Sequence, residues 1–92
     1  MKDKIVIITG ANRGIGKEAT KQIAKLGAKV YMACRSLDSA NMAREEIVNE
    51  TGNNNVFVKH LDLASVESII KFTDQFKKEE TKLDLLFNNA GL

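Results

Sequence analysis

Three glycines follow one another at short spacing near the start of the chain, at Gly10, Gly14 and Gly16. They come directly after a β-branched apolar run and directly before a helical pattern. Such a joint exposes a helix N-terminus, where free N–H groups and the helix dipole favour an anion such as a pyrophosphate. We expect Gly10 to make the turn, Gly14 to let phosphates approach, and Gly16 to let the helix lie close on the strand.

The glycine spacing leaves alternatives open. The sequence has G-x-x-x-G-x-G, whereas the dinucleotide pattern is G-x-G-x-x-G, so a glycine-rich turn without a ligand is one alternative. A phosphate loop of the nucleoside triphosphatases is excluded, because Lys17 is followed by Glu18 and no Ser or Thr hydroxyl is placed for magnesium.

Four short apolar runs alternate with three longer helical patterns, and these elements must position the glycine joint. The runs, at 5–9, 29–34, 56–61 and 83–87, predict strands. This alternation predicts parallel strands with right-handed crossovers. The fold class is therefore α/β, a Rossmann-type parallel sheet that forms the first half of a doubly wound fold, βαβαβαβ with strand order 3-2-1-4. An all-helical fold would need helices from the first and last runs, and both are too short.

Helix ends and helix faces are predicted from the same pattern. Ser36 and Ser65 are N-cap candidates, while Gly27 and Gly52 end the first two helices. The residues predicted to face the sheet are Ile15, Ala19, Ile23 and Leu26 in the first helix, Ala40, Ala43 and Ile47 in the second, and Val66, Ile69, Ile70, Thr73 and Phe76 in the third.

Composition limits the function classes. The chain has 92 residues, enough for one small domain, with 43% hydrophobic and 28% charged residues, as in folded proteins. Its net charge of +2 is spread out, so no basic stripe for nucleic acid is present and we expect no nucleic-acid partner. A single cysteine, Cys34, fits a reducing compartment, and no apolar run approaches the roughly 20 residues that span a bilayer. We expect a cytoplasmic location and no membrane segment in this chain.

The stretch TGANRGIG, residues 9–16, resembles the glycine motif of the short-chain dehydrogenase/reductase family. The resemblance recurs in register, with Asp62-Leu63 after the third predicted strand and the run NNAG, residues 88–91, after the fourth. It therefore covers the whole chain. The segments VYMACRS and LDLLFNNAG resemble most the retinol-dehydrogenase-like branch of that family.

The resemblance implies roles for several of these residues. Asp62 would accept a hydrogen bond from the adenine amino group, with Leu63 beside the ring. Asn88 would tie the glycine turn to the central sheet, while Ala90 and Gly91 would line the adenosine ribose. All these positions follow parallel strands, where open α/β sheets bind ligands. The alternatives are that Asp62 hydrogen-bonds its own loop and that the asparagines satisfy turn backbone.

The end of the second strand predicts which dinucleotide binds. An NAD-binding sheet usually places an acid there for the ribose 2′-hydroxyl, but this chain has no acid before Asp38. Arg35 offers a guanidinium suited to phosphate, and Arg13 reaches the same region. In the resembled family such basic residues go with NADP, so we predict NADP(H) in preference to NAD(H); for each arginine the alternative is a solvated surface charge. The predicted cofactor-binding residues are Gly10, Asn12, Arg13, Gly14, Ile15, Gly16, Arg35, Ser36, Asp62, Leu63, Asn88, Ala90 and Gly91.

No catalytic residue is assigned. The family's reaction uses a tyrosine, a lysine four residues later and a serine, all well after the NNAG motif, and this sequence stops at Leu92. Tyr31 is read as a packed strand residue, His60 as a partly exposed strand residue and Cys34 as a small buried residue. No metal-ligand spacing is present.

Two function classes follow. The first is an oxidoreductase that transfers a hydride between NADP(H) and the CH–OH/C=O group of a small, apolar substrate such as a retinoid or steroid; residues 1–92 would be the NADP-binding N-terminal part of a single, truncated Rossmann domain. The second is a non-catalytic NADP-binding or interaction module that ends near residue 92. In both, we expect the fourth strand to expose an edge through which the chain could self-associate.

Overall fold

The structure, a computed structural model, describes residues 1–89. Strands and helices alternate along this part of the chain. The elements are β1 (Ile5–Thr9), α1 (Gly14–Lys25), β2 (Lys29–Cys34), α2 (Leu37–Thr51), β3 (Val56–His60), α3 (Val66–Glu79) and β4 (Leu85–Phe87).

The strands form one sheet in the order β3-β2-β1-β4, and every pair of neighbours is parallel. The predicted strand order and fold class are confirmed. The register pairs Thr9 with Ala33 and Cys34 with His60. The carboxyl ends of β1, β2 and β3 therefore meet at one edge of the sheet, which is where a ligand of such a fold binds.

Side chains alternate between the two faces of the sheet, as expected for strands covered on both sides. The predicted inner face of α2 is confirmed. The buried cluster on the α1/α2 face includes Val6, Ile8, Val30, Met32, Ala40, Ala43, Ile47 and Val56. The cluster on the α3 face consists of Ile5, Ile7, Tyr31, Ala33, Leu61 and Phe72.

The predicted helix ends are confirmed. The hydroxyls of Ser36 and Ser65 each accept the backbone N–H three residues later, at 3.4 and 3.2 Å. These bonds satisfy N–H groups that the first helical turn leaves unpaired. Gly27, two residues beyond α1, and Gly52, directly beyond α2, adopt left-handed φ angles of +88° and +74°, a conformation that costs glycine little.

The predicted inner face of α1 is wrong at its two ends. Ile15 and Leu26 are 72% and 57% exposed, whereas Gly16, Thr20 and Ala24 are buried. The reason is close packing: small side chains let the helix backbone approach the sheet, and the Thr20 hydroxyl donates to the Gly16 carbonyl at 2.7 Å. The prediction followed the spacing of the larger apolar side chains. These lie one sequence position away from the small residues that are buried against the sheet.

The predicted inner face of α3 is also largely wrong. Ser68 and Phe72 are buried, and of the predicted residues only Phe76 packs against the buried cluster. The aromatic rings determine this orientation, because Phe76 contacts the Tyr31 ring edge-on with centroids 5.2 Å apart. The predicted residues that are exposed instead are Val66, Ile69, Ile70 and Thr73.

Two strands are shorter than predicted. β3 ends at His60, although the N–H of Leu61 still donates to the Cys34 carbonyl at 2.9 Å. β4 begins at Leu85, so residues 83 and 84 lie outside the strand. Asp84 still bonds to β1 twice: its N–H donates to the Ile5 carbonyl at 2.9 Å, and its Oδ2 accepts the Ile5 N–H at 2.8 Å.

Candidate functional site

A cleft of about 800 Å³ lies at the carboxyl ends of β1, β2 and β3. Its volume is in the range of small-molecule and cofactor sites. The structure brings most of the predicted residues together in it. The predicted residues that line the cleft are Gly10, Asn12, Arg13, Gly14, Ile15, Arg35, Ser36, Asp62 and Leu63.

The other predicted residues lie elsewhere. Gly16 is buried on the inner face of α1 and does not line the cleft. Asn88 lines a separate apolar groove of about 290 Å³ between α3 and β4. Ala90 and Gly91 are outside the residues that the structure describes.

Six cleft residues were absent from the predicted site. Three lie in or next to the strands, Thr9, Ala33 and Leu61, and three lie beyond them, Ser39, Ala64 and Asn89. Ser39 had a signal, because it follows the N-cap candidate Ser36 by three residues and so lies on the first turn of α2. The sequence indication for Asn89 was weaker, because it consisted only of its position next to Asn88 after the fourth strand. Nothing in the sequence distinguishes Ala64.

The three glycines of the joint have different geometric roles. Gly10 and Gly14 have left-handed φ angles of +61° and +59°, so both positions favour glycine. A Cβ on Gly14 would meet no heavy atom within 4 Å, because the residue borders the open cleft. A Cβ on Gly16 would collide with the Gly10 carbonyl oxygen and lie 2.7 Å from Nδ2 of Asn89. Gly16 therefore serves close packing of helix on turn, as predicted.

The predicted role of Asn88, to tie the glycine turn to the central sheet, is shared by Asn88 and Asn89. The Thr9 hydroxyl donates to Asn88 Oδ1 at 3.1 Å and accepts the Asn89 N–H at 2.8 Å. The Asn89 amide donates to the Gly10 carbonyl at 3.4 Å. Asn88 thus holds the end of β1, and it is Asn89 that reaches the glycine turn itself.

Two exposed arginines face the cleft. Arg13 is the N-cap residue of α1, and Arg35 follows β2 directly. Within residues 1–89, neither guanidinium makes a hydrogen bond or an ion pair. By contrast, Arg44 donates to the Val56 carbonyl outside the cleft. The cleft therefore carries two cations that are available to an anionic ligand.

The acidic residue at the cleft is Asp62, which follows β3. Its Oδ1 accepts the Ala64 N–H at 3.0 Å, and its own N–H donates to the Ser68 hydroxyl at 2.8 Å. The hydrogen bond to its own loop, weighed above as an alternative, is thus present. It orients the carboxylate beside the half-exposed Leu63, and both residues line the cleft.

The three side chains read as non-catalytic have surroundings that fit this interpretation. Tyr31 is 3% exposed, and burial together with the hydrogen bond to Glu80 raises the pKa of its phenol. Burial raises the pKa of the Cys34 thiol, outweighing hydrogen bonds from the Ala11 and Asn12 backbone that lower it. His60 is exposed at the end of β3. Neither the phenol nor the thiol is tuned to exchange a proton near neutral pH.

Two kinds of feature are absent from the part of the chain that the structure describes. No group of three or more His, Cys, Asp or Glu side chains among residues 1–89 could hold a metal ion. No helix in this part is long and apolar enough to cross a membrane.

The fold and the position of the cleft are those of a Rossmann-type parallel sheet, and the family comparison agrees. A family model described as short chain dehydrogenase matches residues 4–92. The chain belongs to the short-chain dehydrogenase family. It is 53% identical over 89 residues to retinol dehydrogenase 11 of Mus musculus, with 97% of this chain and 28% of the relative covered. The likeness to the retinol-dehydrogenase-like branch is thereby confirmed.

Solved structures give the same result. Menthone neomenthol reductase from Mentha piperita superposes on the whole chain with a TM-score of 0.92 at 37% identity, covering 33% of that protein. A short chain dehydrogenase from Escherichia coli CFT073 complexed with NADPH also superposes on the whole chain, with a TM-score of 0.90 at 31% identity and 39% of that protein covered. The chain thus spans well under half the length of these relatives.

Proposed function

We propose that this chain binds NADP(H) in preference to NAD(H), as the N-terminal cofactor-binding part of an oxidoreductase. The bound cofactor would give or take the hydride, and a small, apolar molecule such as a retinoid or steroid would carry the reacting CH–OH/C=O group. The identity to retinol dehydrogenase 11 and the fold shared with an NADPH-complexed dehydrogenase support this proposal.

The observation that carries the proposal is the pair of unpartnered arginines at the cleft. A guanidinium is a planar donor that binds phosphate through two parallel hydrogen bonds. Arg13 and Arg35 come from two different loops and line one cleft. No carboxylate stands at the end of β2 to prefer a ribose 2′-hydroxyl, since the first acid after that strand is Asp38. The cleft therefore suits a ligand with an additional phosphate on its adenosine.

The remaining residues are assigned by their place in the cleft. The glycine joint, with open space at Gly14, would admit the pyrophosphate at the N-terminus of α1. Ile15 is 72% exposed on the first turn of α1 and lines the cleft beside that space. Ser36 would bind near the adenosine phosphate, while Asp62 and Leu63 would hold the adenine. Asn88 would act indirectly, through its hydrogen bond to the end of β1.

Arg35→Asp tests the cofactor preference. Affinities for NADPH and NADH are measured by calorimetric titration of the 92-residue chain, after far-UV circular dichroism confirms the fold. Loss of a charge-assisted contact should weaken NADPH binding by roughly 1.5–3 kcal/mol, before any added repulsion. NADH binding should change much less, because NADH has no phosphate at that position.

The matched control is Lys71→Asp, which makes the same change of charge on the exposed surface of α3, away from the cleft. It should leave both affinities within about twofold of wild type, since exposed charges at this distance are screened. Equal losses of NADPH and NADH in Arg35→Asp, or equal NADPH losses in both variants, would contradict the proposed preference.

We propose in addition that the chain self-associates through β4. In support, Leu85 and Leu86 are 39% and 55% exposed on a strand that has a neighbour, β1, on one side in the described sheet. An exposed apolar edge strand pairs readily with another chain. Light scattering should give a molar mass above that of one chain, and Leu86→Lys should lower it. A monomer at all concentrations would contradict this proposal.

A further inference from the structure

The glycine joint is linked to α2 by one hydrogen bond between side chains. Nδ2 of Asn12 donates to the Ser39 hydroxyl at 3.0 Å. Asn12 lies on the loop between Gly10 and Gly14, and Ser39 lies on the first turn of α2. The bond therefore spans the two segments that form one end of the cleft.

Each end of this bond is directly connected to one of the cleft arginines. Arg13 is the next residue after Asn12. On the other side, Ser39 donates its backbone N–H to the hydroxyl of Ser36, which follows Arg35. The separation of the two guanidinium-bearing segments thus depends on a short chain of contacts with the Asn12–Ser39 bond at its centre.

Two ion pairs join α1 to α2 further from the cleft. Lys17 pairs with Glu46, and Lys21 pairs with Glu50 at 2.9 Å. At 1.5 Å per residue, Glu50 lies about 16 Å along α2 from Ser39. These ion pairs hold the two helices side by side but do not line the cleft, so they provide a matched control.

We infer that the Asn12–Ser39 hydrogen bond positions Arg13 relative to Arg35, and that Ser39 is thereby a specificity-determining residue for a dinucleotide with an adenosine 2′-phosphate. The inference rests on the proposed function. Long arginine side chains lose much rotamer freedom when they bind, so fixing the segments that bear them lowers the cost of engaging one phosphate with both. A ligand without that phosphate gains nothing from the bond.

The test uses the ratio of NADPH to NADH affinity, measured by titration for four variants of the chain. Ser39→Ala should lower the ratio about three- to tenfold, the usual value of one hydrogen bond. Asn12→Ala should lower it as much, and the double variant no further than either single one, because both lose the same bond. Ser39→Thr, which keeps a hydroxyl, should restore the ratio. Alanine favours helix, so the fold is not at risk at position 39.

Lys21→Gln is the control, and it should leave the ratio unchanged although it removes an α1–α2 ion pair. Additive losses in the double variant would overturn the inference, because Ser39 would then contact the phosphate directly. If the wild type prefers NADPH and none of the Asn12 and Ser39 variants changes the affinity ratio, this inference is overturned while the proposed function stands. A wild type with equal affinities would overturn the proposed function as well.

Discussion

The two faces of the sheet are covered to different depths. On the α1/α2 face, strand residues such as Val6, Ile8 and Val30 are 0% exposed, and small residues of α1 bring the helix close to the strands. On the α3 face, Ile5 and Phe72 retain 8% and 9% exposure. Apolar side chains of α3 and β4 also remain at the surface there.

The cleft borders the more tightly packed of the two faces. The cleft lies at the carboxyl edge of the strands where the glycine joint and α2 meet, so tight packing fixes the backbone of its loops. The α3 face is held by aromatic contacts and by ion pairs that reach the sheet, such as Lys29 with Glu80. Changes in side-chain volume should therefore destabilise the α1/α2 face most, whereas changes in charge should destabilise the α3 face.

Gly16→Ala should have the largest effect, since its Cβ would collide with the backbone of Gly10. We expect a loss of about 3 kcal/mol in the free energy of unfolding, measured by urea denaturation. Gly14→Ala is the matched control, because its Cβ meets open space. It should cost only the left-handed backbone strain, about 1 kcal/mol. Equal losses in the two variants would contradict close packing at Gly16.

Glu80→Gln should have a smaller effect, on the α3 face. Burial alone would raise the pKa of Glu80, but Lys29 and the Tyr31 hydroxyl hold the pKa of this carboxyl below its ordinary value of 4.5. The wild-type stability from this group is present above pH 4.5 and is lost as the pH falls through the lower folded-state pKa. The variant should lose about 1 kcal/mol at pH 7 and less near pH 3.

Glu67→Gln provides the comparison for this pH dependence. Glu67 is also on α3, but its pair with Lys71 is 3.5 Å long and both side chains are largely exposed. Its substitution should change the free energy of unfolding by less than about 0.5 kcal/mol at either pH. If the difference between Glu80→Gln and wild type were the same at pH 7 and pH 3, the ionic contact would not stabilise this face.

The order of the elements could be predicted because it depends on periodicity and local end signals. Short β-branched runs, the serines at helix starts and the glycines at helix ends act within a few residues of themselves. The cleft followed from the same information, since parallel strands bring their carboxyl ends together and so gather residues such as Gly14, Arg35 and Asp62.

The inner faces of α1 and α3 could not be predicted in the same way. At Gly16, the approach of a helix to a turn selects a residue with no side chain, which an apolar pattern does not register. On α3 there are more apolar residues than one face can bury, and the contact of Phe76 with the distant Tyr31 decides the orientation. The Asn12–Ser39 hydrogen bond joins residues 27 positions apart in the sequence, and local sequence patterns cannot predict a contact at that separation.

The most direct test of the central claim uses the adenosine half of the cofactor alone. Adenosine 2′,5′-bisphosphate and adenosine 5′-monophosphate differ by the phosphate that Arg13 and Arg35 are proposed to bind, and each can be titrated into the chain by calorimetry. We predict tighter binding of the bisphosphate by about tenfold or more, the value of one charge-assisted contact. Equal affinities for the two nucleotides would contradict the assignment of this cleft to NADP(H).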